Sequence, residues 1–374
     1  MYYNRNLITA EQRPASINDA SGVFDLQTQA YYRAQNDWPF GDNIVGAIIV
    51  VEITSSRVVR LSKNSQISCN YTVDWGDGSS LETSTATSLD HSYATGGIYT
   101  IKLSVNSGTW VPKANGDTRA FGITKYAILN QTSGSSAFRT YQGMRNLKDV
   151  AFPAAFYAGI TNLQLFFADC FSLKTAPFID TSSATSFQQT FGQCSALESV
   201  PLYDTSNVTS FAYCFRECIN LKEIPLFDTS SGTNFGHMCN GCSRIDSFPA
   251  MDFSAATTFS YAWFGCSNLV NFPANMFDNL NTNTLISGAF NNAFHNAALS
   301  VQSIENILTS LVTSGATNVV LHIGGGQNAN YSNWSETAKA AFATLSGNPA
   351  DSSDTGRGWT ITYNSPSQNN DTNP

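Results

Sequence analysis

Hydrophobic positions through the middle of the chain return every 24 residues without slippage. Leu173, Leu197, Leu221, Ile245 and Leu269 share one register, Phe187, Phe211, Phe235 and Phe259 a second, and Cys170, Cys194, Cys218, Cys242 and Cys266 a third. Pro177, Pro201, Pro225, Pro249 and Pro273 keep the same step, as do Asp180, Asp204, Asp228 and Asp252. A period in the twenties marks stacked units, none of which can bury its apolar face alone. Within a unit, Leu197, Val200 and Leu202 stand in an L-x-x-L-x-L pattern, repeated at Leu221, Ile224, Leu226 and at Ile245, Phe248, Ala250, and its period-two end predicts a short strand. Phe211, Phe215 and Cys218 follow at spacings of four and three, which predicts one face of a short helix. Thr205 and Ser206 fall where such a helix would be capped. The expected unit is strand, turn and helix, with the strands joined in a parallel sheet, an α/β solenoid over residues 141–299.

The flanks read differently. Residues 44–140 begin as a run of short strands and predict an all-β sandwich. After the repeats, Val301, Ile304, Ile307, Leu308, Leu311 and Val312 lie at helical spacing, NVVLHIGG reads as a strand, SNWSETAKAAFATLSG as a helix ended by Gly347, and RGWTITYN as a last strand. This α/β cap, residues 300–364, would close the open end of the solenoid. Residues 365–374 are polar and read as a loose tail. The opening segment, 1–43, carries Phe24, Leu26, Tyr31 and Trp38, apolar residues that so short a stretch can hardly bury by itself.

Three stretches resemble known families. The pattern F-x-x-C-x-x-L…P…D-T-S, as in FRECINLKEIPLFDTS, resembles the BspA-type leucine-rich repeats of bacterial surface proteins and phage fibres, over roughly residues 153–294. It implies a leucine-rich-repeat solenoid. The WGDG turn at Trp75–Gly78, followed by His91, Tyr93, Gly97, Tyr99, Ile101 and Leu103, resembles a PKD-like β-sandwich, a module that serves as a spacer or binder. The opening LITAEQRPASINDASGVFDLQTQAYYRAQNDWP resembles a segment near the start of marine and cyanobacterial phage structural proteins. That likeness implies attachment to a virion through residues 1–43, with Phe24, Leu26, Tyr31 and Trp38 as the contact.

Composition narrows the function further. Charged residues make up only 12% of the 374, and the formal net charge is −8. This acidic balance, without a Lys/Arg run, argues against a phosphate-backbone binder. No stretch approaches the apolar length of a membrane span. The first residues lack a basic and then apolar leader, so Sec-type export is not expected. A virion protein made in the host cytoplasm and displayed on the exterior of the particle fits this combination.

Candidate chemistry is mostly accounted for by the repeat. His237, Cys239 and Cys242, with Cys214 and Cys218, suggest a zinc set, but Cys218 and Cys242 occupy the ladder position where a small buried thiol packs well. Disulfides along the ladder are not expected, because stacked equivalents point in parallel. The Asp180, Asp204, Asp228, Asp252 column suggests calcium, as do Asp74 and Asp77, yet all six suit turns in which the carboxylate accepts backbone N–H groups. Gly324–Gly326 lacks the spacing of a phosphate loop. No cofactor, metal or catalytic residue is assigned, and no enzyme is expected. The feature left over is Ile179, Tyr203, Phe227 and Met251, the position after each L-x-L, which alternation would turn outward as an apolar stripe. The expected function is a tail fibre or tail-tip adhesin of a bacteriophage. Its partners would be other virion proteins and a host surface protein or glycan, and a homo-oligomer is allowed. The alternatives are a capsid or baseplate decoration protein and a bacterial cell-surface adhesin.

Overall fold

The computed structural model describes residues 45–365 and 368–371, apart from 55–57, 115–116, 121, 130–138, 153–155, 318 and 348–355. The opening segment expected to attach to a virion lies outside the described residues. Seven strands build the first module: β1 (Gly46–Ile53), β2 (Val58–Ser62), β3 (Cys69–Asp74), β4 (Glu82–Ser84), β5 (Ser88–Ser92), β6 (Gly97–Gly108) and β7 (Ile123–Leu129). An eighth, β8 (Asp149–Ala151), completes a sheet of order β4-β3-β6-β1-β7-β8, faced by the pair β2-β5. β1 pairs antiparallel with β6, from Gly46 opposite Ser104 to Ile53 opposite Gly97. Alternation places Ala47, Ile49 and Val51 inward with Tyr71, Val73, Ile101 and Leu103, against Val59 and Leu61 of the small sheet. Among the described residues this module is all-β, with mixed pairing in the larger sheet, where β8 runs parallel to β7.

The repeat region departs from expectation. Among the described residues between β8 and Ser300 there is neither a helix nor an extended strand, so the strand-turn-helix solenoid with a parallel sheet is overturned. What stacks instead is a series of tight turns. Two residues per unit, four apart, hold a left-handed backbone: Leu165 and Asp169, Gln189 and Gln193, Tyr213 and Glu217, His237 and Gly241, Tyr261 and Gly265. A left-handed residue breaks the helical hydrogen-bond ladder, so a helix cannot run through Phe211–Cys218. The 3.6-residue rhythm survives because i to i+3 turns also return the chain to one side: Cys214 N–H donates to the Phe211 carbonyl at 3.0 Å and Cys218 N–H to that of Phe215 at 3.0 Å.

The intervening N–H groups point along the stack. Those of Phe211, Tyr213, Phe215 and Glu217 donate to the carbonyls of Asn234, Gly236, Met238 and Asn240, all at 2.7–2.9 Å. The expected strand over the L-x-x-L-x-L pattern fails for its own reason. Each copy contains a proline, Pro201 or its equivalents, which cannot donate to a ladder. Parallel pairing shrinks to isolated bridges such as Thr175 with Ser199 and Ser210 with Asn234.

Both ends of the stack are closed. At the start, β8 pairs in parallel with β7 of the sandwich, and Tyr141 N–H donates to the Phe166 carbonyl at 2.9 Å. At the far end, Phe294 N–H donates to the His322 carbonyl at 3.1 Å. His322 belongs to β9 (Val320–His322), which lies beside β10 (Thr360–Ser365) in the order β11-β10-β9. Helix α1 (Val301–Ser314) packs against α2 (Glu336–Ser346), whose Phe342 lies edge-on to Tyr363 of β10, and each helix is capped by a serine, Ser300 and Ser335, and ended by a glycine, Gly315 and Gly347. Residues 368–371, expected as part of a loose tail, pair with β10 as β11 (Gln368–Asp371). A single buried apolar cluster runs from Ala47 in β1 to Ile361 in β10.

Three substitutions test this architecture by thermal melting. Leu221 is fully buried, so Leu221→Asp places an unpaired carboxylate in a core shared by several units and should cost several kcal/mol, on the order of 3 or more. Glu217→Gly should leave the melting temperature unchanged or higher, since the equivalent places in the next two units are already Gly241 and Gly265. Gly241→Val, which forces a branched residue into the left-handed region, should lose about 1–2 kcal/mol or more.

Candidate recognition face of the repeat

The D-T-S sequence at 180–182, 204–206 and 228–230 bolts each of these units to the next. Asp204 Oδ1 accepts from Ser206 N–H at 3.1 Å and from the Ser206 hydroxyl at 2.7 Å, and the buried Thr205 hydroxyl donates to the Asp228 carbonyl at 2.8 Å. Thr181 and Thr229 repeat the bolt onto the carbonyls of Asp204 and Asp252. Thr205 and Ser206 are therefore turn and inter-unit groups, not the helix cap expected of them. Hydrogen bonds from Ser182 and Ser230 hold the carboxyls of Asp180 and Asp228 below the ordinary aspartate range.

The ladder cysteines do more than fill space. Each thiol donates to a carbonyl of the preceding coil: Cys170 to Tyr141, Cys194 to Phe167, Cys218 to Phe191, Cys242 to Phe215 and Cys266 to Cys239, all at 3.0–3.1 Å. All eight cysteines are buried and unpaired, and burial pushes the thiols of Cys170, Cys218 and Cys266 well above the usual range. His237 is likewise engaged, its Nδ1 lying 3.0 Å from the Asn240 amide nitrogen. Among the described residues no group of three or more His, Cys, Asp or Glu side chains is placed to hold a metal ion.

In the WGDG turn, Asp74 accepts from Gly76 N–H at 2.9 Å and Asp77 from Ser79 N–H at 3.0 Å. A side chain at Gly76, with φ +76°, would strike the Thr100 carbonyl, which explains the glycine. The second Asp77 oxygen lies 2.7 Å from His91 Nε2, and the His91 ring stacks on Trp75 at 4.5 Å. Ser79 first, then His91, lower the Asp77 carboxyl to about 2.

The expected outward stripe is buried. Ile179, Tyr203, Phe227 and Met251 are 2%, 3%, 2% and 6% exposed. Tyr203 donates its hydroxyl to the Pro177 carbonyl at 2.6 Å, and Phe227 stacks near Phe211 and Phe215. The residues that face out are one position earlier: Phe178, Leu202 and Leu226 at 56%, 63% and 62% exposure, with the exposed Ala250 next in line. After the buried Val200 the chain spends two residues, Pro201 and Leu202, on the outside before Tyr203 turns in, and this extra step shifts the phase. Beyond it the alternation is regular, with Asp204 out and Thr205 in. The signal that could have found this is the D-T-S turn itself, since its bolting threonine must face inward and so fixes the parity of Tyr203 and Leu202. The other candidates, Phe24, Leu26, Tyr31 and Trp38, lie outside the described residues.

Two measurements follow. The folded protein should leave its ladder thiols unreacted in a titration near neutral pH and release all of them in denaturant; Cys218→Ala removes one of two donors to the Phe191 carbonyl, the Cys194 N–H remaining, and should cost about 1 kcal/mol. For the turn, a carboxyl whose folded pKa is depressed contributes stability at pH above its unfolded value, near 4, and loses it as pH falls toward about 2. Asp77→Asn should therefore flatten the acid limb of the melting-temperature profile between roughly pH 4 and 2 while changing its neutral part less.

Comparison with known proteins bears on the repeat alone. Residues 161–275 match the family model described as Mycoplasma protein of unknown function, DUF285, a match compatible with a BspA-type repeat protein. The sandwich and the terminal cap lie outside that match. No curated protein and no solved structure was found to match the chain.

Proposed function

We propose that this chain is a non-enzymatic surface-recognition protein of a bacteriophage virion, a tail fibre or tail-tip adhesin that docks a host surface component through its repeat face. The observation that carries the reading is the column Phe178, Leu202 and Leu226. These large apolar side chains are more than half exposed on a chain anchored on both sides by inter-unit side-chain hydrogen bonds, from the Tyr203 hydroxyl to the Pro177 carbonyl and from Thr181 and Thr205 to the Asp204 and Asp228 carbonyls. Apolar side chains held in solvent at a regular spacing suit docking, since their burial by a partner gains roughly 25 cal/mol per Å² and a rigid backbone has little entropy left to lose. The prolines Pro177, Pro201 and Pro225, each next to a stripe residue, stiffen the same edge. The sandwich serves as the spacer between this face and the opening segment, whose likeness to phage structural proteins supports virion attachment.

The test measures stability and binding together. Leu202→Ser with Leu226→Ser should change the melting temperature little, because both side chains are already in water, and should weaken binding of the isolated chain to host cells by about 2 kcal/mol or more, the scale of hot-spot losses. Tyr203→Ser should do the reverse, destabilising the stack while leaving binding per folded molecule intact. Unchanged cell binding in the double variant would remove the stripe from recognition.

A further inference from the structure

The outer side of each stripe residue is not uniformly apolar. Two positions after Phe178, Leu202, Leu226 and Ala250 come Asp180, Asp204, Asp228 and Asp252, and the intervening Ile179, Tyr203, Phe227 and Met251 are buried. Residues two apart on an extended stretch leave the same side, roughly 7 Å from one another. The repeat stacks these pairs in register, so an apolar column and an acidic column run side by side at a step of about 4.8 Å per unit. Each carboxylate uses one oxygen, Oδ1, for its own turn. On the other flank the charges cancel, with Lys222 bonded to Glu198 at 2.9 Å.

We infer that the paired columns select a cationic, apolar polypeptide segment, one that presents a row of aliphatic side chains bordered along one edge by Lys or Arg. This deepens the proposed function and rests on its reading of the stripe as a docking surface. Charge complementarity names the occupant: the basic border meets the Asp column while the aliphatic row covers Phe178, Leu202 and Leu226. A second copy of this chain is a poorer fit on the same face, because its own stripe carries the same acidic border and its net charge is −8, so it brings no basic edge to the Asp column. A sugar is a poorer fit to the leucines, which offer no ring face to stack on.

The probes are three synthetic amphipathic helical peptides with an identical Leu stripe bordered by Lys, by Ser or by Glu, read by fluorescence anisotropy against the full chain. The Lys peptide should bind about tenfold tighter than the Ser peptide, and the Glu peptide weaker than both, with the Lys advantage shrinking as salt rises. Asp204→Asn with Asp228→Asn keeps an oxygen to accept the Ser206 and Ser230 hydrogen bonds, so it should fold normally. It should reduce the Lys advantage to about twofold or less. Glu52→Gln with Glu336→Gln makes the same change in net charge away from this face and should leave the advantage intact. If the Asp variant keeps the full Lys preference, or the remote variant loses it equally, the charge inference falls while the stripe reading stands. If Leu202→Ser with Leu226→Ser binds all three peptides as well as the unchanged chain does, the stripe reading falls too.

Discussion

Every unit of the repeat depends on a division of labour among its backbone N–H groups. Alternate donors close i to i+3 turns within the unit, and the ones between, as at Phe211, Tyr213, Phe215 and Glu217, are left without any partner except the carbonyls of the next coil. A buried N–H without an acceptor costs on the order of 1–3 kcal/mol, so a unit with four such groups cannot exist alone. That one constraint fixes the length of each train of turns: one residue more or fewer inside it would point the stacking donors at the wrong carbonyls. The side chains then follow the backbone. Phe211 stacks on Phe235 at 5.3 Å and Phe191 on Phe215 at 5.7 Å because their main chains are already held in register. Pairs of this kind add about 0.5–1.5 kcal/mol each.

The same constraint requires the ends to be covered. The first coil receives its neighbour's donors through Tyr141 and Arg139, in a segment that leads out of the sandwich, and the last passes its own to His322 and Gly324 of the terminal cap. The final unit also shows how much variation the stack accepts. Phe259 and Tyr261 donate to Ala289 and Asn291, seven residues further on than the step used by Phe211 and Tyr213. Phe277 still stacks on Phe253 at the regular step, at 6.0 Å, and Phe290 on Phe259 at 4.9 Å, so the extra residues lie between Phe277 and Phe290, and the donors still find acceptors because the insertion lies between coils, not within one.

Much of this was legible in the sequence. The period, the inward cysteines, the sandwich and the α/β cap with its serine and glycine ends are each written in residue types with a direct physical meaning. The unit's local structure was not. Spacings of three and four fit a helix and a train of tight turns equally well, and what separates them is the left-handed backbone at Tyr213, Glu217 and His237. Those residues carry no conformational signature; Gly241 and Gly265, at equivalent places in later units, are the only hint in composition. The candidate face failed by one residue for a related reason, since a strand read through Pro201 places Leu202 inside and Tyr203 outside, the reverse of what the D-T-S bolt enforces.

This arrangement separates what the fold needs from what a partner could use. Thr205, Cys218, Leu221 and Phe211 spend their side chains on neighbouring coils, whereas Leu202 and Leu226 contribute almost nothing to the stack they sit on. A column of outward positions can therefore change its chemistry, from Phe178 to Leu202 to Ala250, while the backbone that presents it stays fixed. On the proposed reading, recognition would be set by which side chains occupy a pre-spaced lattice, not by loop conformation. The acidic column beside it is the exception: Asp204 and its equivalents serve the turn through one oxygen and face solvent with the other, so any partner that engages this face meets a charge that the fold itself requires.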